Sequence, residues 1–283
     1  CDTSMIGTSV KKIYLIRHAQ SRWNKAQKHH NLLAMVKERD HPLTSAGYRQ
    51  AHALALEIEA ASRGDGSFGS LLDASAVWCS PHTRALQTTL VGLHPLLEGG
   101  QLRVCLKPSA RERKSLGGFD SVGAGRGDQC VHRALRKLYG IVDACEVERL
   151  RTVRVDTDEA QEKWWSCTRD SRASVRSRIN KLLLDIQSSP HCSIIIVGHS
   201  HFFRELFRSC ACKSEEAALG LQLRNDKIPN CGVASCTISF SPDTCTLTSV
   251  RLAVPARNVE PGMEPRMRKS QRRAPRSATV VPT

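Results

Sequence analysis

The chain has 283 residues, of which 40% are hydrophobic and 24% are charged, so it is long enough to bury one sizeable core and to carry an insert or a tail. Its formal net charge of +15 favours acidic substrates or polyanionic partners. No uninterrupted apolar run approaches the roughly 18–20 residues of a membrane span, so we expect none. The 12 cysteines include no CxxC pair, which favours reduced thiols and a cytoplasmic location.

The first part of the chain alternates between apolar strands and amphipathic helices. The predicted elements are a strand at 12–16, a helix that begins after Thr44, a strand at 76–79, a helix at 83–93 and a strand at 102–106. Thr44 is a residue type that caps helices well, and the apolar residues after it recur at the spacing of one helix face. Such alternation is typical of a mainly parallel sheet.

The periodicity fades over residues 113–170, which include a glycine-rich stretch and the pair Trp164 and Trp165. We interpret this region as an insert that caps the core, with the two tryptophans packed in it. Regular patterns then return: a helix at 175–186, a strand at 193–197, a helix around Phe202, and a β-hairpin at 234–240 and 246–252 turned by Pro242 and Asp243.

These elements predict an α/β fold with a mainly parallel sheet flanked by helices on both faces, a three-layer sandwich with an inserted cap. We assign residues 1–254 to one catalytic domain, with the cap at about 113–170. Residues 255–283 carry seven Lys or Arg residues against two Glu residues and show no hydrophobic pattern. We expect this basic tail to be disordered and able to contact a polyanion.

Three strands deliver cationic or imidazole groups at their ends. The first strand runs into Arg17 and His18, the strand at 193–197 is followed by His199, and the strand at 76–79 leads through a short turn to Arg84. The carboxyl ends of parallel strands meet at one edge of a sheet. Guanidinium groups bind phosphate oxygens bidentately, and two of them beside a histidine favour its neutral, nucleophilic form. The pattern therefore predicts a phosphate pocket.

This ordered series resembles the histidine phosphatase superfamily, in its phosphoglycerate-mutase-like branch. The resemblance covers most of residues 12–252, and its motifs read LIRHAQSRWN at 15–24, VWCSPHTRALQTT at 77–89 and IIIVGHS at 194–200. Ala19 and Gln20 depart from the commonest first motif, in which Gly and Glu are frequent. Neither departure removes a group that the chemistry needs.

The resemblance implies a role for each matching residue. His18 would be the nucleophile that becomes phosphohistidine. Arg17, Asn24, Arg84 and His199 would bind the phosphate, and His199 would also belong to the catalytic set.

The proton donor that the resemblance implies is a carboxylate after the third strand, where Glu112 stands. Its neighbours Arg111, Arg113 and Lys114 are cations that should keep Glu112 ionised, which suits a base better than an acid. Asp120 and Glu38 are therefore alternatives for the acid.

No metal or cofactor is expected at this site. His199 and His201 are two residues apart, but no set of carboxylates accompanies them as metal binding would require. We expect His82, in the turn before Arg84, to line the entrance of the pocket.

The function that follows is a metal-independent phosphomonoesterase, a hydrolase that works through phosphohistidine on a phosphorylated small molecule or a phosphoprotein. One alternative is a phosphoglycerate mutase, although residues 112–120 lack the Arg-His-Tyr-Gly segment of those enzymes. The other is a non-catalytic module that binds phosphate groups or polyanions. The sequence leaves the physiological substrate open.

Overall fold

In a computed structural model of the chain, the structure describes residues 9–65, 68–115, 119–212, 214–241 and 244–256. The predicted turn at Pro242 and Asp243 and the basic tail from residue 257 onward lie outside the described residues. The division of the chain at residue 254 therefore stays a prediction.

The described residues contain eight strands and ten α-helices. The strands are β1 (Ser9–Arg17), β2 (Ala76–Cys79), β3 (Val104–Leu106), β4 (Val155–Asp156), β5 (Ser193–Gly198), β6 (Ala211–Cys212), β7 (Val233–Phe240) and β8 (Cys245–Ala253). The helices are α1 (Arg22–Lys28), α2 (Leu32–Val36), α3 (Ser45–Ser62), α4 (Thr83–Gly92), α5 (His94–Leu97), α6 (Asp128–Arg136), α7 (Ala144–Arg151), α8 (Arg172–Ser188), α9 (Ser200–Ser209) and α10 (Ala218–Leu223). None of the helices in the described ranges is long and apolar enough to cross a membrane.

The strands form a single sheet in the order β4-β3-β2-β5-β1-β7-β8-β6. The pairs β1–β5, β2–β5, β2–β3, β3–β4 and β6–β8 are parallel, whereas β7 pairs antiparallel with both β1 and β8. The predicted mainly parallel α/β fold is thus confirmed, and the antiparallel part is the hairpin that the sequence predicts at 234–240 and 246–252.

Apolar side chains cover both faces of the sheet. Along β1, Tyr14 and Ile16 belong to one buried cluster, while Ile13 and Leu15 belong to the other, because successive side chains of a strand point to opposite faces. Helices α3 and α4 complete the first cluster, and α8 and α9 complete the second. The three-layer arrangement follows from these two apolar faces.

The predicted cap packs on the first of these clusters. Buried residues between 130 and 164 join it, and they include Leu135 and Leu150 on helices α6 and α7 together with Trp164. The packing role expected for Trp164 is confirmed, since only 8% of its surface is exposed. The boundaries of the cap, 113 and 170, remain those of the sequence prediction.

Helix α3 packs tightly against the loop that follows β1. Thr44 caps α3 as predicted, with its side chain accepting from the Gly47 amide at 3.0 Å. A Cβ at position 47 would lie 2.0 Å from the carbonyl oxygen of Gln20, so only glycine allows this approach. The contact braces the loop immediately after His18.

Candidate active site

Three strands end side by side at the same edge of the sheet. In the parallel register Arg17 lies opposite Gly198 between β1 and β5, and Cys79 of β2 lies opposite Val197 of β5. The next residue in each strand is therefore His18, Ser80 or His199. The convergence predicted for the strand-terminal groups follows directly from this pairing.

His18 is buried, and both of its ring nitrogens have neighbours that define its tautomer. Nδ1 lies 2.7 Å from the carbonyl oxygen of Ala19, which can only accept, so Nδ1 carries the proton. Nε2 then presents a lone pair, and it accepts from Arg84 Nε at 3.2 Å. Burial holds the pKa of His18 well below its usual range, and the charges of Arg84 and Arg17 lower it further. His18 is thus a neutral imidazole with an unprotonated Nε2.

Besides His18, Arg84 contacts Asp120, and Asp40 holds the end of the helix that carries Arg84. Nη1 of Arg84 donates to the carbonyl oxygen of Asp120 at 2.6 Å, and its Nη2 lies 3.4 Å from the Asp120 carboxylate. Arg84 sits in the first turn of α4, where the buried Asp40 accepts from both the amide and the hydroxyl of Thr83, at 2.9 and 2.6 Å. Asp40 therefore anchors the helix end that carries Arg84, a role with no signal in the sequence.

His199 belongs to a chain of buried hydrogen bonds. Its Nε2 lies 2.8 Å from Ser80 Oγ, which in turn lies 3.1 Å from Nδ1 of His82. Burial, and next the charge of Arg84, hold the pKa of His199 well below its usual range, so its ring is neutral. Nδ1 of His199 is buried and has no hydrogen-bond partner in the described part of the chain.

The expectation that His82 lines the pocket entrance is wrong. Its side chain is fully buried and packs edge-on against Trp164, with ring centroids 4.8 Å apart. Trp164 of the cap covers this position. No local sequence pattern shows which core residues the cap packs on, so His82 could not be placed beneath it.

Arg17 is fixed by a loop before β7. Its Nη1 donates to the carbonyl oxygen of Ile228 at 2.8 Å, and the adjacent His18 carbonyl oxygen accepts from Asn230 Nδ2 at 2.7 Å. Burial lowers the pKa of Arg17 to about 10, so it is still charged at neutral pH. Its Nε is buried and has no partner among the residues that the structure describes. The Nε–H group of Arg17 is thus a donor without a partner among the described residues.

Glu112 lies in the same small cavity as His18. One carboxylate oxygen accepts from the amides of Arg113 and Phe202, at 2.8 and 3.2 Å. Burial raises the pKa of Glu112, although Arg84 and the hydrogen bonds from backbone amides oppose this effect. The carboxyl therefore holds a proton to higher pH than an exposed glutamate.

The expectation that its flanking cations keep Glu112 ionised is wrong. Arg111 forms a bidentate pair with Asp170, at 2.9 and 3.0 Å, and Arg113 pairs with Glu205 at 2.9 Å. The charges of these two neighbours are thus directed at other carboxylates, and the desolvation of Glu112 has the larger effect on its pKa.

Asp170 is a buried carboxylate that holds the loop of Glu112 in place. Besides Arg111, it accepts from the amide of Lys114 at 2.8 Å and from Arg178 at 3.1 Å. Burial alone would raise the pKa of Asp170, but these donors lower it. The contacts of Asp170 join the loop after β3 to the first half of α8.

We expect Asp170→Asn to lower the free energy of unfolding by about 3–5 kcal/mol, since it leaves buried guanidinium charge uncompensated. Asp185→Asn is a matched control on α8, because Asp185 pairs at the surface with Lys181 and should matter by less than about 1 kcal/mol. Urea unfolding followed by tryptophan fluorescence measures both. If both variants lose the same free energy of unfolding, Asp170 does not hold this loop in place.

Of the predicted site residues, Arg17, His18, Asn24 and Glu112 line a cavity with a volume of about 90 Å³, whereas Arg84 and His199 do not. The cavity is lined by residues from four segments of the chain, which are Arg17, His18, Trp23, Asn24, Gln27, Glu112, Arg113, Ser115, Asp120, Ser200, His201 and Lys227. Asn24 also completes a capping box with Ser21 at the start of α1, a helix that the sequence analysis did not predict.

The two alternative acids lie in different places. Asp120 lines the cavity, and burial raises its pKa. Glu38 does not line it and instead pairs with Lys137, Arg133 and Arg22. Asp120 therefore remains an alternative for the general acid. Glu38 is paired with cations, two of them in the cap, and does not reach the cavity.

Within the described ranges, the structure contains no group of three or more His, Cys, Asp or Glu side chains placed to hold a metal ion. Sequence reasoning missed several residues that shape the site, namely Asp40, Ser80, Asn230 and Lys227. Of these, only Ser80 lies in a motif that could have pointed to it.

Residues 13–114 match the profile of the histidine phosphatase superfamily (branch 1). No curated protein sequence matches the chain. Solved structures with a similar fold include a phosphoglycerate mutase from Bacillus anthracis str. Sterne, at 16% identity and a TM-score of 0.46 over 86% of this chain and 93% of the other. A phosphoserine phosphatase mutant from Entamoeba histolytica in complex with phosphoserine aligns at 21% identity and a TM-score of 0.42, over 85% and 96%.

A third similar structure is the ecdysone phosphate phosphatase of the silk moth Bombyx mori in complex with tungstate, at 15% identity and a TM-score of 0.41 over 84% of this chain and 92% of the other. The profile match covers β1, β2, β3 and the loop of Glu112, which are the segments that bring Arg17, His18 and Arg84 to the site. Residues 13–114 are thus similar to the histidine phosphatase superfamily, branch 1, in the region where the motifs indicate the resemblance.

Proposed function

We propose that the protein is a metal-independent phosphomonoesterase that works through a phosphohistidine on His18. The observation that carries this proposal is the state of His18: a neutral imidazole whose unprotonated Nε2 faces a guanidinium group, with the carboxyl of Glu112 in the same cavity. Phosphoryl transfer needs an in-line nucleophile, donors for the phosphoryl oxygens and a proton for the leaving group.

In the first step Arg84 Nε donates to a phosphoryl oxygen instead of to His18 Nε2, and the freed lone pair of Nε2 attacks the phosphorus of the bound ester. The bond between phosphorus and the ester oxygen breaks, and the leaving oxygen takes the proton of Glu112, whose pKa burial raises. Arg84, the free Nε of Arg17 and the free Nδ1 of His199 bind the phosphoryl oxygens. The alcohol leaves and the phosphoryl group stays on His18.

In the second step water attacks the phosphorus of phosphohistidine. Glu112, now a carboxylate, takes a proton from that water, and the electron pair of the broken N–P bond returns to Nε2 of His18. The Ala19 carbonyl oxygen accepts from Nδ1 in both states, so the ring stays in one orientation. The sum of the two steps is an ester and water giving an alcohol and phosphate, with Glu112 and His18 restored.

The decisive experiment measures phosphate release by the purified full chain from a panel of phosphomonoesters that includes p-nitrophenyl phosphate, with and without excess EDTA. We expect turnover that survives EDTA, because guanidinium and imidazole groups supply the positive charge that metals supply in other phosphatases. Activity that EDTA removes and a divalent ion restores would reject a metal-independent mechanism.

The same experiment separates the two alternatives. Transfer of the phosphoryl group between phosphoglycerates, without release to water, would identify a mutase. Binding of phosphate esters with no turnover of any of them would identify a non-catalytic phosphate-binding module.

A further inference from the structure

Among the residues that the structure describes, one cation that lines the cavity of His18 has no bonded partner. Three cationic side chains line it. Arg17 donates to the carbonyl oxygen of Ile228, and Arg113 pairs with Glu205. The ammonium group of Lys227 has neither a hydrogen bond nor an ion pair with any residue in the described part of the chain, so Lys227 is the lining cation that is available to a ligand.

The backbone fixes Lys227 beside the phosphoryl-binding groups. Ile228, its neighbour, accepts from Arg17 Nη1 at 2.8 Å, and Asn230 donates to the carbonyl oxygen of His18 at 2.7 Å. The loop that carries Lys227 is therefore attached at two points to the Arg17–His18 pair. These contacts fix the backbone of Lys227 at the cavity rim, whereas the lysine side chain itself has several rotatable bonds.

The charges around Lys227 favour the binding of an anion. Burial lowers its pKa, and the charges of Arg17 and Arg204 lower it further. Within the described segments Arg204 bonds to neutral groups alone, the carbonyl oxygen of Asn225 at 3.1 Å and the ring of His201. This side of the rim thus has two cations, Lys227 and Arg204, with no bonded carboxylate among the residues described.

An acid does stand across the cavity, but it does not neutralise Lys227. Glu112 favours the charged form of Lys227, yet this effect is smaller than those of Arg17 and Arg204. In the proposed mechanism Glu112 also enters the first step protonated. Positive charge on the Lys227 side is therefore uncompensated when the substrate binds.

We propose that Lys227 binds a second anionic group of the substrate, so that the substrate is a small phosphomonoester with a carboxylate or another phosphate a few bonds from its ester oxygen. This inference rests on the proposed phosphomonoesterase function. A cavity of about 90 Å³ has room for little beyond the phosphoryl group, so the rest of the substrate must pass the rim where Lys227 stands.

The test compares three substrates of similar size. 2-Hydroxyethyl phosphate carries no second charge, phosphoglycolate carries a carboxylate, and ethane-1,2-diyl bisphosphate carries a second phosphate. We expect kcat/KM to be about 10- to 100-fold higher for at least one of the two charged substrates, the range of a charge-assisted hydrogen bond. The preferred charged substrate shows which anion the site takes.

Two variants and one control isolate the residue. Lys227→Met should remove the preference through KM and leave kcat/KM for 2-hydroxyethyl phosphate nearly unchanged, whereas Lys227→Arg should keep it. Lys12→Met makes the same change of charge near the start of β1, about 16 Å along the strand from Arg17, and should keep the preference as well.

Each remaining outcome overturns the inference and shows where it failed. If the wild type hydrolyses all three substrates with equal efficiency, or if Lys227→Met slows all three equally, the phosphomonoesterase stands and the second-anion site does not. If the wild type releases no phosphate from these esters or from p-nitrophenyl phosphate, the proposed function fails and this inference fails with it.

Discussion

His18→Ala should lower phosphate release by about 10⁴-fold or more, because the proposed reaction loses the atom that attacks phosphorus. In the proposed reaction the other donors bind the phosphoryl oxygens, and Nε2 of His18 is the atom that attacks. His52→Ala is the matched control, since His52 is exposed on α3 and should leave turnover unchanged. Steady-state rates on p-nitrophenyl phosphate measure both variants.

The intermediate itself distinguishes loss of chemistry from loss of folding. Rapid quenching of the wild type without acid should trap a phosphoenzyme that is labile in acid and stable in base, with the label on His18. Circular dichroism and thermal unfolding should show that His18→Ala is folded. A label on a serine or a cysteine, or wild-type rates in a folded His18→Ala protein, would sink the phosphohistidine mechanism.

The sequence predicts the sheet and the strand-terminal groups because both depend on local patterns. The apolar runs before Arg17 and before His199 have the length and the β-branched residues of buried strands, and parallel pairing then brings their ends together. Thr44 as a helix cap is likewise a local feature. The structure has each of these residues where the sequence places it.

The residues that the sequence does not predict act over long separations in the chain. Asp40 supports α4 from a loop 43 residues before Thr83, and Asn230 reaches His18 across 212 residues. Helices α1 and α2 were missed because each is short, at seven and five residues, and has few buried side chains. No periodic pattern marks elements of this kind.

The protonation of Glu112 is another property that the neighbouring residues in the sequence do not predict. Arg111 and Arg113 flank it in the sequence, but a neighbour's charge acts through space and through its own partners. Asp170 and Glu205 bind those two guanidinium groups, and burial then raises the pKa of Glu112. Partners 59 and 92 residues away thus decide the outcome.

Glu112→Gln should slow phosphorylation of His18 by an alkyl phosphate by about 10²–10⁴-fold, the usual contribution of a general acid. An alkoxide is a poor leaving group, so its departure depends on the proton that Glu112 donates. p-Nitrophenolate leaves without a proton, and phosphorylation by p-nitrophenyl phosphate should slow much less. The glutamine amide keeps the shape of the side chain, which limits the change to the proton.

The pH dependence of His18 phosphorylation in the wild type should also differ between the alkyl ester and p-nitrophenyl phosphate. Because burial raises the pKa of Glu112, the acid form is present at low pH and is lost as pH rises through that raised pKa. Phosphorylation by the alkyl ester should therefore decline over this range, whereas phosphorylation by p-nitrophenyl phosphate should not. In Glu112→Gln the decline for the alkyl ester should be absent.

The measurement must follow the pre-steady-state burst, since hydrolysis of phosphohistidine also uses Glu112, as a base, and can limit steady-state turnover. Asp120→Asn is the comparison variant, because Asp120 lines the same cavity, contacts Arg84, and also has a pKa that burial raises. If Glu112→Gln slows the burst equally for both esters while Asp120→Asn slows it selectively for the alkyl ester, Asp120 is the acid. In that case the hydrogen bonds that Glu112 accepts from the amides of Arg113 and Phe202 make it a structural anchor of the loop rather than a proton donor.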